Sequence, residues 1–311
     1  MIWFTLALTS AVLSSIAAIT QKKALVKMNA LEFSFHLSWV NLIICLIFLF
    51  DFNPSNLTLQ QTWVMFVKTL LQALAFWCVM LSLKNLEISS ALPLLALTPG
   101  SVAIFAFIFI GETLSLNETL GLILLLSGSY FIEMKTLGDP PRRMIEPFKV
   151  FFRTKKYIHV AAALAFFTIS TILDKYLLKD QKMDTSSFML LQHVFFLFDF
   201  AILLLITRTR ITNPFNPPQQ TQPQNPKPKH LIPNTLYLTL ITAVLTIGYR
   251  YTQIIAFTLA PVALVIAIKR LSVFFASVVG GKIFDEGGLL KKGIAALIIV
   301  AGTLLMLFKN W

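Results

Sequence analysis

The chain has 311 residues, of which 57% are hydrophobic and 13% charged, and a formal net charge of +12; its mean hydropathy is +0.77. Soluble chains carry about 25% charged and about 45–50% apolar residues, and one aqueous core of this size cannot hide so large an apolar surplus. A water-soluble enzyme, a disordered chain and a disulfide scaffold are excluded, which leaves an all-α, polytopic membrane helix bundle. The positive charge sits between apolar runs, where it reads as the charge bias of membrane loops rather than as a nucleic-acid footprint. Cys45 and Cys78 each lie inside an apolar run and imply neither a disulfide framework nor a zinc site.

A spanning helix needs about 20 mostly apolar residues. Ten runs qualify, at roughly 2–20, 33–50, 62–82, 88–111, 115–133, 157–174, 186–206, 235–258, 260–281 and 290–308. They are continuous rather than alternating, which predicts helices and not barrel strands. No basic stretch precedes Ile2, so the first run reads as a span and not as a cleaved leader. The fourth run carries Pro93 and Pro99, which are expected to bend or loosen it. The basic stretch at 135–156, with Asp139-Pro140-Pro141-Arg142-Arg143, reads as a linker between residues 1–134 and 157–311. The stretch 207–234 holds seven of the fourteen prolines and reads as an extended loop. Residues 231–268 contain one charge, Arg250, and are too long for one span; Pro261 is expected to break them.

The two halves share a pattern. Phe109-Ile110-Gly111-Glu112 is followed sixteen residues later by Gly128, and Ile283-Phe284-Asp285-Glu286 is followed sixteen residues later by Gly302. Ile19-Thr20-Gln21-Lys22 at the end of the first span matches Ile172-Leu173-Asp174-Lys175 at the end of the sixth. Each half has five spans, an odd number, so the second enters the membrane in the opposite sense. The expected architecture is ten transmembrane helices as two inverted five-helix repeats, which suits alternating access. Glu112 and Glu286 then lie at opposite surfaces, each just ahead of a helix start, where a carboxylate favours the helix dipole or acts as a gate.

This order, spacing and duplication resemble the EamA-type domain of the drug/metabolite transporter superfamily, present twice. The likeness is carried by the end of span four leading into Gly111-Glu112, by Phe284-Asp285-Glu286, and by the glycines of spans five and ten. Lys22, Lys175 and Ile268-Lys269-Arg270-Leu271-Ser272 fit as well. The resemblance implies a secondary transporter that moves small metabolites without ATP and needs no cofactor. The superfamily handles amino acids, nucleotide sugars, phosphorylated sugars, purines and cationic drugs, so membership leaves the solute open.

The side holding the loop between spans one and two collects eighteen Lys and Arg residues, among them Lys22, Lys23, Arg142 and Arg143, whereas the other collects four. That bias places the first side and the linker in the cytoplasm, with both termini outside a plasma (cell) membrane. Termini outside depart from the arrangement that the resemblance implies.

Ionisable groups at membrane depth cost several kcal/mol unless paired or hydrated, so each is a functional candidate. Lys269 and Arg270 lie about ten residues into span nine, roughly 15 Å deep. Arg250 sits between Tyr249 and Tyr251 in span eight, His193 and Asp199 are in span seven, and Asp174 closes span six. Lys68, near the start of span three, is expected to snorkel to the surface. Two readings stand side by side. Asp199 or Asp174 neutralises Arg250 or Arg270 as a structural pair, or cationic charge at the midplane binds a carboxylate or phosphate of a solute.

The expected solute-binding residues are Lys269, Arg270, Arg250, Tyr249, Asp199, Trp77, Gln21 and Thr171, and the expected gating or structural residues are Glu112, Glu286, Pro93, Pro99 and Pro261. No phosphate loop, His-Glu-x-x-His, Gly-x-Ser-x-Gly elbow or metal-ligand spacing occurs, so no catalytic residue and no metal is expected. The expected partners are a small-molecule solute and the lipid bilayer, without nucleic acid; a homodimer stays open. The competing functions are a flippase for a lipid-linked sugar, an intramembrane lipid-processing enzyme and a scaffold.

Overall fold

The computed structural model describes residues 2–85, 98–133, 155–209 and 235–269, together with isolated positions between 271 and 305. Among them no strand occurs, and nine α-helices follow one another: α1 (Ile2–Leu25), α2 (Ala30–Cys45), α3 (Leu59–Asn85), α4 (Thr98–Ile110), α5 (Leu116–Glu133), α6 (Lys155–Lys175), α7 (Thr185–Thr207), α8 (Thr235–Leu259) and α9 (Val262–Lys269). A 3₁₀ stretch, Leu46–Asp51, prolongs α2, and a five-residue π turn, Tyr176–Asp180, prolongs α6. Among the described residues six helices are long and apolar enough to cross a membrane: α1, α2 with its extension, α3, α6, α7 and α8. α4 and α5 are shorter apolar helices, and positions 298, 301, 302 and 305 of the expected tenth span are helical. The chain is a multi-pass membrane protein.

Local chemistry sets the ends. The expected break in 231–268 occurs at Pro261, between α8 and α9, where the ring lacks an N–H for the ladder. Gly111, at φ 69°, ends α4 in the left-handed region that favours glycine, and the Glu112 N–H folds back to the Ala106 carbonyl at 3.2 Å. α5 opens on a reciprocal cap: Ser115 N donates to Glu118 Oε2 at 2.7 Å, and Glu118 N donates to Ser115 Oγ at 3.4 Å. The Asp184 carboxylate caps α7 by accepting from Ser187 N at 2.7 Å. Pro93, Arg270, Glu286, most of the expected linker and most of the 207–234 loop lie outside the described residues; Pro99 is the second residue of α4 as described.

Lipid gives helices no hydrophobic reason to associate, so their contacts rest on close packing and buried hydrogen bonds. α1 packs on α8, α3 on α6 and α7, α2 on α7 and α8, α4 on α6 and α9, and α1 on α9. Exchanging α1–α4 for α6–α9 returns the same set of pairs. α1 and α8 run in opposite directions: Ser10 Oγ donates to the Tyr249 carbonyl at 2.9 Å, and the Thr20 and Thr242 hydroxyls lie 2.7 Å apart. α6 and α8 end together, where Lys175 reaches the carbonyls of Phe257 and Ala260. α1 and α6, the first helices of the two halves, therefore point opposite ways.

A Cβ on Gly302 would lie 2.6 Å from the Gly121 carbonyl oxygen and 2.8 Å from Leu125 N, both backbone atoms of α5. Gly302→Ala is therefore expected to destabilise the protein by about 1–3 kcal/mol through overpacking. Thermal unfolding in detergent checks this, and an unchanged Tm would show that α5 yields freely.

Candidate functional site

The last turn of α6 brings Asp174 into the bundle, where it is 1% exposed. Lys68 Nζ of α3 lies 2.8 Å from its Oδ1, and Arg250 Nη2 of α8 lies 2.6 Å from its Oδ2. Gln192 of α7 completes the cluster. Its Oε1 accepts from Lys68 Nζ at 2.5 Å and from Arg250 Nε and Nη2 at 3.1 and 2.8 Å. The Phe188 ring lies 4.5 Å from Lys68 Nζ and 5.8 Å from Arg250 Cζ, within cation–π range.

Four helices thus place two cations against one carboxylate. The expectation that Lys68 snorkels is corrected: the side chain is fully buried. α3 starts at Leu59, earlier than expected, which puts Lys68 about 14 Å along the helix, too deep to reach water and within reach of Asp174.

A cavity of about 1300 Å³, its open mouth included, adjoins this cluster. Asp174, Gln192, Arg250 and Gln72 form one part of its wall, and His193 stands beside them. Among the described residues neither ring nitrogen of His193 nor Asn41 Oδ1 has a hydrogen-bond partner, and both residues line the cavity. Lys269 also lines it, donating to Gln253 Oε1 at 2.5 Å and lying 4.6 Å from the Tyr249 ring centroid. Phe76, Phe167, Phe196 and Phe200 give it aromatic walls, and Ser14, Gln21, Ser34, Ser38 and Thr171 give it hydroxyl and amide groups. The lining residues of α1 and α3 run from the midpoint of each helix toward its C-terminus, and those of α2 run from Ser34 to Asn41.

At the opposite end Lys175 and Glu112 tie helices of the two halves together. Lys175, the residue after Asp174, pairs with Glu112 Oε1 at 3.1 Å and donates to the Phe257 and Ala260 carbonyls at 2.6 and 2.7 Å. Glu112 Oε2 accepts from Val262 N at 2.9 Å. One carboxylate from the α4–α5 turn therefore caps α9, while one ammonium caps the C-terminus of α8, as helix dipoles favour. Glu112 was expected to favour the helix that follows it in the chain; Ser115 and Glu118 cap that helix, and Glu112 serves the N-terminus of α9 instead. At the other end Lys22 Nζ donates to the Leu83 carbonyl. Leu83 and Phe257, the two carbonyls so bound, are 174 positions apart, as are Glu112 and Glu286.

Of the expected solute-binding residues, Lys269, Arg250, Tyr249, Gln21 and Thr171 line the cavity. Trp77 does not; it packs against the apolar clusters of α1–α3 and α7. Asp199 does not either: it is 2% exposed and lies against Thr69, because six residues of helix turn it away from the face that carries His193. Gln72, Gln192, Gln253 and Asn41 escaped the sequence reading, and Lys68 was placed at the surface instead of in the cluster. The four are uncharged amides, and the legible signal was an amide inside an apolar run. Among the described residues no group of three His, Cys, Asp or Glu is arranged to hold a metal ion.

Residues 1–134 match the EamA-like transporter family. No curated protein matches the chain. A solved structure known only as "Crystal structure of protein" is 16% identical, with a TM-score of 0.61 over 99% of this chain and 97% of that one. A likeness at that identity speaks for the fold alone.

Proposed function

From a chain whose first 134 residues match the EamA-like transporter family, we propose that the protein moves a small anionic or zwitterionic solute across the membrane by alternating access. The observation that carries this is the cavity itself, whose described lining holds Arg250 and Lys269 against one acid, Asp174, with the Glu112–Lys175 pair tying the helices at one end. Charged groups inside a membrane bundle mark solute or ion paths. The opposite directions of α1 and α6, and the exchange of helix pairs between halves, support a reading of 1–134 and 157–311 as inverted repeats that trade sealed ends. On this reading the open side is the α1–α2 end, where Gln21, Ser34 and Leu83 line the cavity. The charge bias of the loops supports a cytoplasmic α1–α2 end in a plasma membrane, which fusion reporters at the two termini test.

Proteoliposomes containing the purified protein are expected to take up labelled carboxylates or amino acids faster than empty liposomes. Lys269→Gln is expected to slow uptake of anionic solutes about tenfold, about 1.4 kcal/mol. Uptake of every anionic solute at the wild-type rate by this variant would remove Lys269 from the site.

A further inference from the structure

We propose that Gln192 is the specificity-determining residue of the cavity: it fills the place of a second counter-ion with a neutral amide, so that one positive charge of the Lys68–Arg250 pair is left for the anionic group of a solute to balance. The inference rests on the transporter reading above and names the group that sets its preference for anions.

The geometry is that of two cations sharing two acceptors. Lys68 Nζ and Arg250 each reach Asp174, and each also reaches Gln192 Oε1. Gln192 is 1% exposed and stands in the cavity wall. A glutamate would have the same length and offer the same oxygen to the same three N–H donors, and it would make the cluster neutral. The chain has the amide instead. A buried cation without its own counter-ion is costly, and the cost is relieved by any anion that arrives; an apolar surrounding concentrates the field on the cavity.

Arg250 has the means to hold such an anion. Its bonds to Asp174, Gln192 and Gln72 use Nε and Nη2. Among the described residues none binds Nη1, whose two N–H groups match a carboxylate or phosphate oxygen. The aromatic walls favour a flat apolar body behind that oxygen.

The probe is benzoate, with neutral benzamide as its control, on the full-length protein in a nonionic detergent at fixed ionic strength. Benzoate is expected to raise the Tm of the wild type more than benzamide does, because a ligand stabilises the state that binds it. Q192E is expected to weaken benzoate binding at least about tenfold, with a higher Tm in the absence of ligand. The swap D174N/Q192E returns the cluster to one carboxylate and is expected to regain the benzoate response.

Q192E with an undiminished benzoate response would overturn the inference and leave the transporter reading standing. A wild type that treats benzoate and benzamide alike would overturn the anionic-solute reading beneath it. Should Q192E fail to fold, the swap carries the test, and loss of the response there overturns the inference. Stabilisation by phosphatidylglycerol in the micelle but not by benzoate would assign the charge to a lipid headgroup and overturn the solute assignment.

Discussion

Asp174→Ala is expected to destabilise the protein by about 3–5 kcal/mol, the range for a buried ion pair that loses one partner. The carboxylate is the shared counter-ion of Lys68 and Arg250, so its removal leaves two buried cations with the Gln192 amide as their common acceptor. Asp174→Asn keeps an oxygen at the same place and is expected to cost less. Lys68→Met combined with Asp174→Asn removes one charge of each sign, keeps the net charge of the cluster and leaves an amide oxygen for Arg250, so it is expected to recover part of the loss. Thermal unfolding in detergent with size exclusion measures all three. An Asp174→Ala protein as stable as the wild type would mean that the cluster contributes nothing to the fold.

Lys175→Met is expected to cost about 3 kcal/mol by the same logic and to open the sealed end. Among the described residues it leaves Glu112, whose side chain is 8% exposed, with the Val262 N–H alone, and strips the Phe257 and Ala260 carbonyls of their shared donor. E112Q keeps an oxygen for Val262 N and is expected to cost about 1 kcal/mol. The opening is read with a cysteine at position 170, in the cavity wall, after Cys45 and Cys78 have been replaced by alanine. A membrane-impermeant maleimide is expected to label it faster from the α6–α8 end in Lys175→Met than in the parent. Equal labelling from that end in both would show that the seal lies elsewhere.

The helical membrane bundle was legible because continuous apolar runs have one structural solution in lipid, and the Pro261 break followed from a ring without an N–H. The expectation of a repeat drew on Glu112, Glu286, Gly128 and Gly302. The partners of Glu112 were not legible, because Val262 N and Lys175 lie far from it in the chain. Charge made Arg250, Lys269 and Asp174 visible as candidates, whereas their pairing depends on which helices touch. Lys68 was misread because its depth hinged on a helix start three residues earlier than the apolar pattern indicated. Gln192 passed unnoticed because a search for charge overlooks the residue whose neutrality matters.

Asp174 and Lys175 are consecutive residues, so their side chains leave α6 about 100° apart, one toward the cavity and one toward the seal. The π turn that follows them, Tyr176–Asp180, is a less regular stretch of the kind that marks working positions in helices. A twist of α6 that relaxes one contact must strain the other, because a single peptide plane carries both. On the transporter reading, cargo and bolt are fixed to the same spindle, and a message from one to the other crosses no intermediate residue.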